Sequence, residues 1–373
     1  MHKKYAALLA VSLLALTSGA ALAADTIPVA GVGPLTGSNA AFGEQLKSGA
    51  VQAVKDINAA GGVLGKKLEL TLGDDACDPK QAVAVANQMA SKGVVFVDGH
   101  FCSGSSIPAS AVYNDAGILM ITPASTNPLL TEDAAKKGWK NIYRTCGRDD
   151  QQGKVAGDYI ASHFKDTPIA VIDDKSAYGK GLADETRKTL NAKGVKEVLD
   201  DEITAGDKDF SALISKLKQA NVGLIYYGGY QTEAGLLVRQ AHDQGLKAVL
   251  MSGDALPTSE FWSITGPTGE GTLFTFPPAP EKRPEAKKVV DEFVAEGRKP
   301  EGYTLYSYAA MQVFAQAAEK AKSIKEDDLI KALHDTTFDT VVGPISYDSK
   351  GDITQNSYVV WHWHDGKFDE LNP

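Results

Sequence analysis

The sequence predicts an α/β protein built as two successive doubly wound arrays of parallel strands and helices. Three observations lead there. Short apolar runs, ending in turns rich in glycine and hydroxyl residues, alternate with longer stretches whose apolar residues recur at helical spacing. The alternation restarts after Trp139. A length of 373 residues exceeds one ordinary domain, and two βα arrays of doubly wound size account for it.

In the first array Ile27–Val32 reads as a strand. Phe42, Leu46, Ala50, Ala53, Val54 and Ile57 follow at helical spacing and stop at Gly61-Gly62. Leu68, Leu70 and Leu72 mark the next strand. A helix over Pro79–Ser91 starts at Asp78-Pro79, where a first turn tolerates the missing proline amide. Val94–Val97 is a buried parallel strand leading into Gly99–Pro128, the stretch around which the chain is organised. That stretch gives a hydroxyl turn, a helix from Ser105 to Asp115, a strand from Leu119 to Thr122 and a second hydroxyl turn. The second array reads as helix Asp150–Phe164, strand Ile169–Ile172, helix Tyr178–Lys193, strand Val198–Ile203 and helix Phe210–Ala220. Strand Val222–Tyr227, helix Thr232–Gln244 and strand Val249–Ser252 complete it. From Thr272 a strand and a proline-rich stretch lead to helices at Glu285–Glu296, Leu305–Lys322 and Lys325–Leu333, then a strand-rich end at Tyr358–Trp363. These helices are too few for a third domain, so they are expected to complete the first array, with the chain crossing between lobes more than once.

Lys3 and Lys4, the apolar run Tyr5–Leu16 and Ala21-Leu22-Ala23 form the pattern of a cleaved export signal at residues 1–23. The run is too short to span a bilayer, which predicts a released, soluble chain. Loss of those two lysines takes the formal net charge from −9 to −11. So acidic a chain argues against nucleic acid and anionic membrane as partners. In an oxidising compartment Cys77 and Cys102, both after strands of one sheet, either pair across its edge or sit as small core residues. Cys146 is left over.

Several motifs fail on spacing. Gly31–Gly37 follows a strand, but the gap between its last two glycines is too wide for a dinucleotide turn and holds a proline. Ser103 stands at a strand–helix turn, yet Phe101 and Ser105 occupy the places where a nucleophile elbow needs glycine. Asp74, Asp75 and Asp78 lack the alternation of a calcium loop. His362 and His364 share one strand face without a third ligand. The sequence therefore predicts no metal, no cofactor and no enzyme.

What remains is a binding site. Open α/β sheets bind ligands at the carboxyl ends of their strands. Ser103 and Ser105 lead into a helix whose first amides are unpaired and suit a carboxylate. Thr126 and the carbonyl of Ala124, on the adjacent turn, offer the acceptors an ammonium needs. Together they fit a free amino acid. Asp254, at a strand end of the second array, either meets that ammonium as an unpaired acid or caps a helix over Ser259–Ile264. Tyr178 and Tyr230 lie at strand ends of the same array as pocket walls or core caps, and Phe42 lies just inside the first helix.

The blocks DDACDPKQAVAVAN (Asp74–Asn87), GILMITPAST (Gly117–Thr126), ITAGDKDF (Ile203–Phe210) and YYGGY (Tyr226–Tyr230) resemble the periplasmic branched-chain amino-acid-binding proteins of ABC importers. The resemblance runs through nearly the whole chain after the signal. It implies a type I periplasmic binding protein fold: two doubly wound lobes joined by three crossovers, residues 24–145 with 277–357 and residues 146–276 with 358–373. It implies a monomer in the periplasm that hands leucine, isoleucine or valine to an inner-membrane ABC permease, or a shifted ligand such as phenylalanine, a small neutral amino acid or an amide. A sensory ligand-binding module is the other reading of the same fold. It makes Cys77–Cys102 the family's disulfide and places the ligand carboxylate at Ser103, beside Cys102. The ammonium then falls to Ala124, Thr126 and Asp254, where the family pattern has glutamate. Tyr230 matches a tyrosine at the ligand's polar end, and Phe42, Phe101, Tyr178 and Tyr303 match apolar walls. Phe101 stands where leucine is common.

Overall fold

The computed structural model describes residues 26–355 and 357–371; the expected export signal lies outside the described residues. The chain first lays down β1 (Ile27–Gly33), α1 (Ala40–Ala59), β2 (Leu68–Asp74), α2 (Pro79–Ser91), β3 (Phe96–Gly99), α3 (Ser103–Ala116), β4 (Leu119–Thr122), α4 (Leu129–Lys136) and β5 (Ile142–Arg144). It continues with α5 (Asp149–His163), β6 (Ile169–Asp173), α6 (Ala177–Ala192), β7 (Leu199–Glu202), α7 (Ser211–Gln219), β8 (Leu224–Gly228), α8 (Gln231–Asp243), β9 (Val249–Ser252), α9 (Ser259–Thr265) and β10 (Leu273–Phe276). Then come α10 (Lys287–Ala295), α11 (Thr304–Ala321), α12 (Glu326–His334), the hairpin β11 (Phe338–Thr340) and β12 (Gly343–Ile345), and a closing pair, β13 (Val359–His364) and β14 (Lys367–Glu370). Helix α4, strand β5, the hairpin and β14 were not legible in the sequence pattern. Among the described residues no helix is long and apolar enough to cross a membrane.

The strands form two large sheets with the same winding. The first is ordered β2-β1-β3-β4-β5, and the second carries β7-β6-β8-β9-β10 followed by β13 and β14. In both, the parallel strands run 2-1-3-4-5 in their own order, so each sheet has a switch point beside its first strand, where βα turns part to opposite faces. Strand β13 adds antiparallel to β10 and β14 antiparallel to β13, with Trp361 and Trp363 buried. The strand cores are nearly continuous apolar runs because helices cover both faces.

Helices α11 and α12 pack on the first sheet, not the second. Leu305, Ala309, Met311, Val313 and Phe314 share a core with Val29, Phe96, Ala50 and Ala53, and the Phe314 ring stacks on Phe96 at 4.5 Å. Gly49 permits this approach, since a Cβ there would stand 2.2 Å from the Thr304 carbonyl oxygen. The chain thus returns to its first sheet after building most of its second, then ends on the second.

Cys77 and Cys102 are bonded, with Cα atoms 5.6 Å apart, and Cys146 is free and buried. The bridge joins the turn after β2 to the residue that leads directly into α3. Replacing both cysteines by serine is expected to cost about 3.5 kcal/mol, the loop-closure value for such a separation. A smaller loss in urea unfolding, below about 1 kcal/mol, would mean that the turns hold themselves without the bridge.

Candidate functional site

Each residue singled out in the sequence lies at the carboxyl end of a strand or beside one, and the fold brings them to one place. Phe42 follows β1, Phe101 to Ser103 follow β3, and Ala124 to Thr126 follow β4. Across from them Tyr178 follows β6, Tyr230 follows β8, and Asp254 follows β9, while Tyr303 precedes α11. Phe42, Phe101, Cys102, Ala124, Tyr178, Tyr230 and Tyr303 fall in one buried cluster that spans both sheets.

The first wall is a pair of hydroxyl turns locked together. Cys102 stands in extended geometry at the start of α3, and its carbonyl accepts from the Ser105 and Ser106 amides at 2.9 Å. Ser125 Oγ donates to the Phe101 carbonyl at 2.9 Å and meets Ser106 Oγ at 2.6 Å. Ser103 Oγ accepts from the Asn127 amide at 3.3 Å. Below them the buried Arg144 donates to the carbonyls of Ser125 (2.6 Å) and Asn127 (3.2 Å) and pairs with Asp352 at 2.8 Å. Ser105 Oγ is buried with no hydrogen-bond partner among the described residues, and the buried Thr126 hydroxyl lies beside the Asp149 carboxyl. At the carboxyl ends of the strands these hydroxyls are placed to meet a ligand.

The second wall centres on Asp254. It is buried and has no ion-pair partner among the described residues, but three neutral donors converge on it. Gln152 Nε2 donates to its Oδ1 at 2.8 Å, Tyr178 donates at 2.7 Å, and Tyr303 donates to Oδ2. Its own amide donates to Gln152 Oε1 at 2.9 Å. Nor does Asp254 cap the helix after it; Thr258 is the N-cap of α9. Burial pushes the Asp254 carboxyl up, against the pull of the hydrogen bonds from Tyr303, Gln152 and Tyr178.

Aromatic rings close the space between the walls. Phe42 stacks on Phe101 at 4.9 Å and meets Tyr230 at 5.9 Å, Tyr230 meets Tyr178 at 5.1 Å, and Phe101 meets Tyr303 edge-on at 5.6 Å. Hydrogen bonds cross beside them: Asn127 Nδ2 donates to the Ala177 carbonyl at 2.6 Å, and Gln231 Nε2 to the Ser38 carbonyl at 3.3 Å.

Two residues of this site escaped the sequence reading. Gln152 and Asp149, both fully buried, sit in the first turn of α5. Their polar run, Arg148 to Gln152, looks like the solvated start of a helix. Only the unrecognised strand β5 just before it would have placed that turn at the sheet edge.

The rejected motifs have local explanations. The turn at Gly31–Gly37 spends its amides on the protein itself, Leu35 and Thr36 donating to Asp74 at 2.9 and 3.2 Å. Asp78 caps α2. His100 is no base for Ser103, because its Nδ1 meets Asp75 at 2.6 Å and its Nε2 meets Tyr113 at 2.8 Å. His364 pairs with Asp369 at 2.9 Å on the surface strand.

Two sheets of equal winding, presenting their ligand-binding edges to each other across one buried polar and aromatic cluster, define a two-lobed solute-binding protein. The chain belongs to the periplasmic binding protein family, whose model matches residues 26–367. It is 52% identical over 352 residues to a Leu/Ile/Val-binding protein homolog 1 of Brucella suis biovar 1, covering 93% of this chain and 94% of that one. It is 46% identical over 344 residues to a leucine-, isoleucine-, valine-, threonine- and alanine-binding protein of Pseudomonas aeruginosa, covering 92% and 91%. A leucine-binding protein of Thermotoga maritima superposes with a TM-score of 0.85 at 28% identity, covering 93% of this chain and 98% of its own. A branched-chain amino-acid transporter substrate-binding protein of Streptococcus pneumoniae, solved with isoleucine, gives 0.84 at 28% identity, covering 93% and 100%. The fold is that of the type I periplasmic binding proteins.

Proposed function

We propose that this protein is a periplasmic receptor that takes a branched-chain amino acid between two closing lobes and delivers it, as a monomer, to an inner-membrane ABC permease. The lobes are residues 24–145 with 277–357 and residues 146–276 with 358–373. One observation carries the reading: the Thr126 turn on one sheet edge is linked through Asp149 and Gln152 to a buried acid, Asp254, on the other. Desolvating a zwitterion needs fixed partners for both charges. The start of α3 with Ser103 takes the carboxylate. The Ala124 carbonyl, the Thr126 hydroxyl and Asp254 take the ammonium. The aliphatic branch packs among Phe42, Phe101, Tyr178, Tyr230 and Tyr303, worth roughly 1.5–3 kcal/mol on full burial. The relatives named above for leucine, isoleucine and valine support this choice of ligand.

The site calls for binding and closure, with no covalent step. Hydrogen bonds such as Asn127 to Ala177 tie turns of opposite lobes, and the closed arrangement they hold is what the permease would read. Ser103→Ala is expected to weaken leucine binding by about 10- to 100-fold, the worth of one hydrogen bond to a charged group, with folding unchanged. Calorimetric titration of ligand-stripped protein against the twenty amino acids tests the reading. Leucine, isoleucine and valine should lead the series. Silence from all three, with heat from an aromatic or amide side chain, would move the ligand elsewhere.

A further inference from the structure

The buried acid at the ammonium seat is not alone. Gln152 Nε2 donates at once to Asp254 Oδ1 (2.8 Å) and to Asp149 Oδ1 (3.2 Å), so the two carboxylates lie no more than about 6 Å apart by the two bonds together. Asp149 is fully buried, and the hydroxyl beside its carboxyl is that of Thr126. The Asp149 amide donates to the Thr126 carbonyl at 3.0 Å, which holds this second acid against the turn already assigned to the ammonium. Neither acid forms an ion pair among the described residues. The charged neighbour Arg144 is engaged by Asp352 and by two carbonyls.

Two desolvated carboxylates at this distance cannot both stay ionised cheaply without a cation. We propose that Asp149 and Asp254 share one proton in the ligand-free protein and exchange it for the ligand's ammonium, so that amino-acid binding releases a proton. At the ammonium seat the charge is unchanged: a pair carrying one proton has net charge −1, and two carboxylates with one ammonium have the same, while the ligand carboxylate sits apart at the start of α3. The inference rests on the amino-acid reading above and adds Asp149 to its binding residues.

Around the pair stand Cys146 after β5, Tyr178 on α6, Tyr226 on β8, Tyr303 before α11 and Tyr358 before β13. Burial raises all of them, so they stay neutral and supply no compensating charge. Burial first, then the Asp254 charge, push the Asp149 carboxyl well above the usual carboxylate range, while Thr126, Arg144 and Gln152 pull it back. The sign follows. Below the pair's upper titration the free protein holds the proton and must lose it to bind, so affinity rises with pH by up to about tenfold per unit. Above that titration affinity levels off.

Titrating leucine into the stripped protein at matched pH, in acetate against MES at the acid end and in phosphate against Tris at the neutral end, reads the released proton as a difference in heat. We expect release approaching one proton at the acid end, falling towards zero as pH rises. Asp149→Asn should remove the buffer dependence. Asp174, which burial raises to about 6, accepts from Ser176 outside the pair, and the Asp149→Asn arm separates its contribution. Leucine binding with equal heats in both buffers of each pair and flat affinity would overturn the inference and leave the receptor reading standing, as would proton release that persists in Asp149→Asn. No binding of any amino acid would remove both.

Discussion

Asp254→Ala is expected to weaken leucine binding by about 30-fold or more, in line with the roughly 2–5 kcal/mol lost when one partner of a buried charged pair is cut away. On the proposed reading, the substitution removes the ammonium's partner from the second lobe. It also strands three donors, the Gln152 amide and the Tyr178 and Tyr303 hydroxyls, that now converge on one carboxylate. Because Tyr303 is held through its amide by Gln45 of α1 at 3.0 Å, its bond to Asp254 links the first lobe to the second. Loss of affinity should therefore come with weaker closure, visible as a larger radius in solution scattering with leucine present. Asp254→Asn keeps the hydrogen-bonding shape without the charge and separates the two effects. Unchanged leucine affinity in Asp254→Ala would remove this residue from the site.

Arg144→Met should be the most damaging single change to the fold around the ligand. The guanidinium is fully buried and has four tasks: the carbonyls of Ser125 and Asn127, the Thr131 hydroxyl at 3.0 Å, and the Asp352 carboxylate. Removing one side of such a network costs about 3–5 kcal/mol, because the other side stays buried without its charge. Arg148, which also pairs with Asp352 at 2.5 Å, limits that cost without replacing the bonds to the turn. Urea unfolding should show the loss, and leucine affinity should fall with it as the turn from Ala124 to Asn127 loosens. A variant of native stability would mean that the turn is fixed by Ser125 and Ser106 alone.

Much of the α/β architecture is written locally in this sequence. Runs such as Ile27–Val32 and Leu119–Thr122 are apolar throughout because parallel strands are covered on both faces, and the turns after them carry the hydroxyls that strand ends expose to a ligand. The candidate site residues were legible for the same reason: Ser103, Thr126, Tyr178, Tyr230 and Asp254 each follow a readable strand. Strand β5 was lost because three residues, one of them arginine, give no periodic signal. With it went the placement of Asp149 and Gln152, whose burial is decided by contacts with β9, more than 100 residues away. The partners of Asp254 were hidden likewise, since Gln152, Tyr178 and Tyr303 come together only when both sheets are assembled.

A crystal structure of the protein grown with leucine tests the central claim most directly. The account predicts one leucine between the sheet edges, its carboxylate at Ser103 and the start of α3. Its ammonium should lie within hydrogen-bond reach of the Ala124 carbonyl, Thr126 Oγ1 and the Asp149–Asp254 pair. Leucine bound away from these turns, or an interlobe space that stays empty at saturating leucine, would contradict it.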